Sequence, residues 1–470
     1  VSATQDLSRA AAEPVGADRA PAAPGRYGPV GVRRPVPPLG PPPKAKQPTA
    51  GERVLASGLR VVAVRRPSVP LVELRLRLPF GSTAPAHPAR SALLGESLLA
   101  GTAQRSRLEL AEAVQAIGGR LSCAVDSDRL LLAGTVLKAG LPAMLDVIAE
   151  ILTGATYPAR EVALERDRMI ENLSIARSQP AVLAREALRG RMYGDHPYGR
   201  EVPHPEAVAA CTPAQLRRLH ADRVIPASGT LLLVGDVSPA RVLDRVESVL
   251  AQWKPVGRPR DLPPLPALTP GLPRLVHRAG SVQSSIRLGG PAPRRDDPGY
   301  PALHLANFIY GGYFSSRLVE NIREEKGYTY SPHSRVEHAT AGSMLAIEAD
   351  VATEVTAPAL LEICYELGRI ATLPAARQEL DDVRQYAIGT LAMATATQAG
   401  LASMLSGLAG TGLGLEWLRE YPGRLAKVTL EGAFEAARQW LAPTALVTVI
   451  LGDLEQIAEP LGVLGPFERS

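Results

Sequence analysis

Apolar positions along this chain follow two alternating rhythms, and the order in which they come is repeated. Leu108, Ala111, Val114 and Ile117 recur at helical spacing, and Gly118-Gly119 supplies a stop immediately afterwards. Short apolar runs such as Leu130-Leu131-Leu132-Ala133 and Met344-Leu345-Ala346-Ile347 read as strands. Val54 to Val64 reads as two strands joined at Ser57-Gly58. The spacing predicts further helices over 141–152, 159–176, 180–192, 213–222 and 239–253. Strand pairs interrupted by long helices predict an α+β fold of two homologous domains, each a mainly antiparallel sheet with helices packed on one face.

The repetition extends to individual residues. Sliding residues 110–134 forward by 208 positions without a gap brings Leu110 to Leu318, Glu112 to Glu320, Gly119 to Gly327, Ala133 to Ala341 and Gly134 to Gly342, and Val114 meets Ile322. Near the end of each half, Leu231-Leu232-Leu233-Val234-Gly235-Asp236 echoes Thr448-Val449-Ile450-Leu451-Gly452-Asp453. Several matches in one order point to an internal repeat. Pro259 to Pro273, with six prolines, has the composition of a linker between the copies. Residues 1–50, rich in Ala, Pro, Gly and Arg, carry too little apolar surface to offset the entropy of ordering and read as a disordered tail. The expected boundaries are therefore a tail over 1–50, a first domain over 51–258, a linker over 259–273 and a second domain over 274–470.

Composition narrows the function classes. A chain of 470 residues exceeds one compact core, and 46% hydrophobic with 21% charged residues is the globular range. With aromatics at 4%, the core must be mostly Leu, Val, Ala and Ile. The net charge of +5 is spread along the chain, with no Lys/Arg block interleaved with aromatics, which argues against nucleic acid as a partner. Cys123, Cys211 and Cys364 stand far apart in sequence with no pair at metal-ligand spacing, which argues against a disulfide framework or a cysteine zinc site. Apolar stretches such as Leu130 to Leu137 fall far short of the ~20 residues of a membrane helix, and the first 50 residues hold no apolar signal core. The expectation is a cytoplasmic chain without a membrane partner.

Over roughly residues 51–465 the sequence resembles the pitrilysin-type peptidases, whose inverted zinc motif is His-x-x-Glu-His, and within them the short two-subunit branch that includes the mitochondrial processing peptidase. The resemblance rests on Gly101-Thr102 after a helix, on Asp195-His196-Pro197-Tyr198-Gly199, on Val234-Gly235-Asp236, and above all on Gly312 to Ser331. In that last segment Phe314-Ser315-Ser316-Arg317-Leu318, Ile322-Arg323-Glu324 and Gly327-Tyr328-Thr329-Tyr330-Ser331 keep the family's order and spacing.

The zinc positions depart from the pattern. Counting back from Gly101-Thr102, the two His positions fall on Ala92 and Glu96 and the general-base position on Gly95, while the distal Glu position falls on Asn172. A methyl group, a missing side chain and an amide cannot assemble a metal-hydroxide nucleophile, so no metal is expected in this chain. Arg323 and Tyr330 are retained, by contrast. The resemblance implies that such a pair, from the second repeat, contacts the scissile carbonyl, where a guanidinium and a phenol O–H stabilise the developing oxyanion. Arg323 is expected in the last turns of a helix that Gly327 ends, with Tyr330 returning on the next strand. The first repeat has Gln115 and Ser122 at those positions, so the repeat alone does not account for the pair.

Gly311 and Gly312 are readable either as a flexible loop that admits a peptide or as an ordinary turn before a helix cap at Ser315 or Ser316. His196 is expected to anchor structure. His333 and His338 are five apart on an expected strand, hence on opposite faces, and cannot share one ion.

Together these features lead to the expectation of a non-catalytic, substrate-positioning subunit of a heterodimeric zinc endopeptidase that processes unfolded peptides or precursor segments. It would be inactive alone, hold no cofactor, and pair with a catalytic subunit that brings His-x-x-Glu-His and zinc. Peptide would add as a strand to a sheet edge. The competing expectation is an inert scaffold subunit of a larger complex.

Overall fold

The computed structural model describes residues 49–200, 202–254 and 261–469. The tail assigned to 1–50 thus lies outside the described residues except for Thr49 and Ala50, as do residues 259 and 260 of the linker. The first half opens with β1 (Thr49–Val54), β2 (Arg60–Arg65) and β3 (Leu71–Pro79), followed by α1 (His87–Ser97) and α2 (Arg107–Ala116). Next come β4 (Arg120–Val125) and β5 (Arg129–Leu137), then α3 (Leu141–Gly154), α4 (Ala159–Arg177), α5 (Pro180–Tyr193), α6 (Pro205–Ala209) and α7 (Pro213–Arg223). β6 (Thr230–Gly235) and α8 (Pro239–Val249) close it. The second half runs β7 (Arg274–His277), β8 (Gln283–Ala292), α9 (Tyr300–Asn307), α10 (Arg317–Val319), β9 (His333–His338) and β10 (Ser343–Ala352). It ends with α11 (Thr356–Thr372), α12 (Arg377–Ala394), α13 (Gln398–Ala409), α14 (Leu415–Ala426), α15 (Leu430–Trp440), β11 (Val447–Gly452), α16 (Leu454–Leu464) and β12 (Glu468–Arg469).

Local chemistry accounts for the boundaries the sequence anticipates. Gly58 turns β1 into β2 at φ 82°, a backbone angle that glycine adopts without strain. Ser106 caps α2 in a reciprocal capping box with Glu109, and Gly118, at φ 64°, follows its end. Among the described residues no helix is long and apolar enough to cross a membrane.

The two six-stranded sheets have the orders β1-β2-β6-β3-β5-β4 and β12-β7-β11-β8-β10-β9. β2, β6, β3, β5 and β4 therefore occupy the places of β7, β11, β8, β10 and β9, and the duplication read from sequence is a duplication of topology. Most neighbouring strands run antiparallel, with β2–β6, β7–β11 and β7–β12 parallel. The ungapped alignment drifts out of register past the helices. Gly134 lies inside β5, opposite Leu74, whereas Gly342 lies in the turn before β10, so the pairings Ala133–Ala341 and Gly134–Gly342 are not structural equivalents. The second half spends extra residues on the segment before β9, and that segment carries Tyr330.

Each sheet keeps its own helices on one face and takes one helix from the other half on the opposite face. Val61, Ala63, Leu231 and Leu233 belong to the core that includes Val242, Leu243 and Val246 of α8, while the alternate residues Val64, Leu232 and Val234 join a core with Leu401, Leu405 and Leu408 of α13. Reciprocally, Leu188 and Met192 of α5 pack on Met344, Ala346, Val447 and Val449 of the second sheet. The Pro-rich connection is part of this packing. Leu262, Leu265 and Leu268 are half-buried against the α5 cluster, so its described part is seated on the fold.

Candidate functional site

α1 carries the degenerate metal positions and packs against β4, α4, α6 and α7. Leu93, Leu94 and Leu98 fill the core, leaving Ala92 half-buried and Glu96 exposed on the outer face. Gly95 is fixed by contact, because a Cβ there would come within 2.8 Å of Val125 Cγ2 on β4. The Glu96 carboxylate is held by Arg168 of α4, at 2.7 Å, and the same guanidinium reaches buried Glu165 at 2.5 Å. Arg107 of α2 meets Glu165 from the other side, at 2.7 Å. Asn172 is exposed one turn further along α4. A cation-bearing side chain therefore sits beside Glu96, and the residues present do not fit a zinc ion. Among the described residues no group of three or more His, Cys, Asp or Glu is placed to hold a metal.

The second group is built around an irregular helix. Phe308–Gly312 and Glu320–Glu325 are both π-helical turns, flanking the Tyr313-Phe314-Ser315-Ser316 connection and α10. Arg323 belongs to the second of these turns. Gly327, at φ 65°, donates to the Arg323 carbonyl, Tyr328 N–H donates to the Ile322 carbonyl, and the Thr329 hydroxyl donates to the Asp350 carbonyl of β10. These bonds fix the segment that presents Tyr330. Its ring lies 5.0 Å from the Arg323 guanidinium carbon, and the Phe314 ring lies 4.6 Å from the same carbon. The guanidinium thus lies over two aromatic rings, with Glu324 at 3.4 Å.

Three positions differ from the sequence reading. Tyr330 is in the connection before β9 rather than on a strand, and at 82% exposure it is open to a ligand. Gly311 and Gly312 lie in a π-helical turn, not a loop. A Cβ at Gly312 would stand 2.7 Å from Phe308 Cδ1, which that packing does not admit, and one at Gly311 would be a tight 3.1 Å from Leu318 Cδ2. Ser316 is the residue at the start of α10, without a capping hydrogen bond from its side chain. Phe314, 64% exposed and stacked on Arg323, is the member that sequence reasoning passed over. An exposed aromatic nine residues before an arginine, across an irregular turn, gives no periodic signal.

The structure brings Arg323 and Tyr330 together. It places Ala92, Gly95 and Glu96 elsewhere, since α1 packs on α4, α6, α7 and β4 while the Arg323 turn packs on α10 and α11. His196 is structural. Its Nε2 meets the Pro263 carbonyl at 3.1 Å and its Nδ1 accepts from Tyr198 N–H, and burial lowers its pKa. Tyr198 in turn donates to Asp128 and accepts from Ala341 N–H, tying the halves together. His333 faces Glu348, and His338 bonds Ser343 and Tyr300, on opposite sides of β9.

Residues 60–206 match the family model described as Insulinase (Peptidase family M16), and residues 210–386 match that described as Peptidase M16 inactive domain. The chain is 29% identical over 301 residues to an uncharacterized zinc protease of Streptomyces coelicolor, covering 61% of this chain and 64% of that protein. It is 28% identical over 289 residues to an uncharacterized zinc protease of Mycobacterium tuberculosis, covering 60% and 66%. The match spans a little under two thirds of these relatives' own length. Among solved structures, a peptidase M16 inactive domain from Pseudomonas fluorescens superposes with a TM-score of 0.79 at 24% identity, covering 86% of this chain and 98% of that one. A protease from Helicobacter pylori also gives 0.79, at 18% identity, covering 86% and 99%. Both likenesses speak for the fold.

Proposed function

The chain belongs to the pitrilysin-type peptidases of family M16, and from that premise we propose that it is the non-catalytic, substrate-positioning subunit of a heterodimeric zinc endopeptidase acting on unfolded peptides or precursor segments. The partner subunit supplies His-x-x-Glu-His and zinc. This chain supplies Arg323 and Tyr330. One contrast carries the reading: among the described residues no three His, Cys, Asp or Glu side chains, at α1 or elsewhere, are placed to hold a metal, yet Arg323 and the exposed Tyr330 stay side by side across a braced connection. A chain that only filled space in a complex would have no chemical use for that pair.

Attack on a peptide carbonyl moves negative charge onto its oxygen. A guanidinium whose position is set beforehand by two aromatic faces, together with a phenol O–H, can stabilise that charge without reorganising during the reaction. Gly311 and Gly312 let the preceding turn pack tightly enough to seat this connection, and an extended peptide lies across it as an added strand.

The test is a reconstituted complex with a catalytic partner, assayed on an unfolded peptide. Arg323→Ala and Tyr330→Phe are each expected to lower turnover by on the order of 10² to 10³, while size-exclusion chromatography shows intact assembly. Full turnover in both variants would eliminate the positioning role and leave an inert scaffold subunit.

A further inference from the structure

β10 outruns its edge partner. β9 pairs with it from His338–Ser343 to His333–Glu348, and Ala349 to Ala352 continue with a strand partner on the β8 side alone. In the turn of this hairpin Ala339 N–H donates to the Gly342 carbonyl, so hydrogen-bonded pairs recur at every second residue, at Met344–Glu337, Ala346–Arg335 and Glu348–His333. The next such pair would be Asp350 with Ser331.

The backbone itself does not forbid that pair. Pro332 would stand opposite Ala349 in the alternate position, with its nitrogen toward the free edge of the sheet, where a strand tolerates proline. Ser331, as the residue before a proline, favours extended backbone. Two side chains occupy the position instead. The Thr329 hydroxyl donates to the Asp350 carbonyl at 2.6 Å, and His333 Nδ1 lies 3.2 Å from the Ser331 carbonyl. Arg335 donates to Nε2 of the same ring, which leaves the proton on Nδ1 for Ser331. Both acceptors of the missing pair are engaged outside the ladder.

The open pair decides where Tyr330 points. In a continued ladder Tyr330 would stand opposite Val351, and residues opposite each other share a face of the sheet. Val351 is 1% exposed and belongs to the core of the second half. A zipped ladder would therefore turn the Tyr330 ring toward that core. With the ladder open, the ring is exposed beside the Arg323 guanidinium.

We propose that Thr329 is a positioning residue: by occupying the Asp350 carbonyl, its hydroxyl holds the β9–β10 ladder open at Ser331 and keeps Tyr330 off the sheet and next to Arg323. The effect on turnover rests on the reading of Tyr330 as an oxyanion donor, whereas the placement of the ring does not.

Two measurements test it. The first is nitration of the full chain with tetranitromethane, read at Tyr330 by peptide mass spectrometry, with exposed Tyr365 as internal control. Thr329→Val keeps the shape and removes the donor, and it is expected to slow nitration of Tyr330 by roughly two- to tenfold, the population shift that one hydrogen bond can hold. Thr329→Ser should react at the parent rate, and Tyr365 should react equally in all three proteins, which shows the fold intact. The second is turnover of the reconstituted complex. In Thr329→Val, kcat should fall by a similar factor at unchanged KM, return in Thr329→Ser, and fall no further when Thr329→Val is added to Tyr330→Phe. Unchanged nitration of Tyr330 in Thr329→Val overturns the proposal. So does full kcat in Thr329→Val where Tyr330→Phe has lowered it. If nitration slows while Tyr330→Phe keeps full turnover, the placement by Thr329 stands and the catalytic reading of Tyr330 is what fails.

Discussion

Arg323 lays its guanidinium over the ring of Tyr330, carbon to centroid 5.0 Å, and the same carbon lies 4.6 Å from the centroid of the Phe314 ring. An arginine side chain free in solvent has several rotamers, and stacking removes most of them before any ligand arrives. Phe314 is then a positioning residue that acts through Arg323. Exposed cation–π contacts are worth about 0.5–1 kcal/mol, or roughly a two- to fivefold effect. Phe314→Ala should therefore lower the turnover of the reconstituted complex by about that factor, with Phe314→Trp restoring it and the unfolding midpoint unchanged for both. Full turnover in Phe314→Ala would mean the stack is incidental.

The Arg168 bridge makes a second prediction, about metal. Restoring histidines at Ala92 and Glu96 should not restore zinc binding, because Arg168 stays beside position 96 through Glu165 and keeps a positive charge where the ion would sit. A glutamate at position 95 would meet Val125 at 2.8 Å and is expected to destabilise α1. Metal analysis of the double variant should find less than one zinc per chain, and so should the parent. Stoichiometric zinc in the parent protein would remove the premise that the partner brings the ion.

Sequence alone reached most helices of the first half, the duplication and the Arg323–Tyr330 pair, because each leaves a local trace: helical spacing before Gly118, a repeated order of residues, a spaced motif. It missed what depends on distant segments. Leu405 reads as an ordinary helical apolar residue, and nothing near it says that it faces Leu232 of the other half. Pro259 to Pro273 has linker composition, yet Leu262 and Leu265 are partly buried, which only the α5 cluster explains. The slide by 208 residues put Gly119 on Gly327, but Gly118 is the residue that shares the φ near 65° of Gly327, so register is already lost at the end of the helix. The extra residues before β9 carry polar and aromatic side chains with no period to align. Arg168 gave no signal either, since an arginine on a polar helix is usually solvated.

Buried histidines make the fold sensitive to mild acid. Burial holds His304 at about 4 and His338 at about 3, with Arg295 adding to both and His304 to the second, and His87 is held at about 4. In the unfolded chain all three titrate near 6.5. Above that pH neither state binds the proton and stability does not change. Below it the unfolded chain takes up protons that the fold refuses, so each histidine lowers stability by about 1.4 kcal/mol per pH unit until its folded value is reached. Glu348 does not confuse the window. Its burial opposes ionisation, but Arg335 and Arg287 bring it to about 2, so it titrates only in stronger acid. Urea midpoints should be flat between pH 8 and 7 and fall between pH 6.5 and 5. His338→Gln should flatten that fall even if it lowers the plateau. An unchanged slope would show that His338 is protonated within the fold.

The reciprocal exchange of α5 and α13 predicts that the two halves are one folding unit. Arg66, just after β2, donates to the Thr395 and Ala396 carbonyls, and Gln398 returns bonds to the Arg66 and Val69 carbonyls, fixing the entry of α13 onto the first sheet. Arg278, just after β7, donates to the Ser178 carbonyl at the entry of α5. Expressed alone, residues 49–258 would leave Val64, Leu232 and Val234 uncovered, and residues 274–470 would leave Met344, Val447 and Val449 uncovered. Exposed sheet faces of that kind lead to aggregation. Each half alone is expected to lack a cooperative unfolding transition, and co-expression is expected to recover a complex that has one. Within the whole chain, Leu405→Ala and Leu188→Ala each remove a buried side chain from an exchanged helix and should cost about 2–5 kcal/mol. Circular dichroism in urea should show that loss as a single shifted transition, because opening either helix exposes a sheet of the other half. Two separated transitions, with only the mutated half moving, would show that the halves fold independently and that the exchange is contact without coupling.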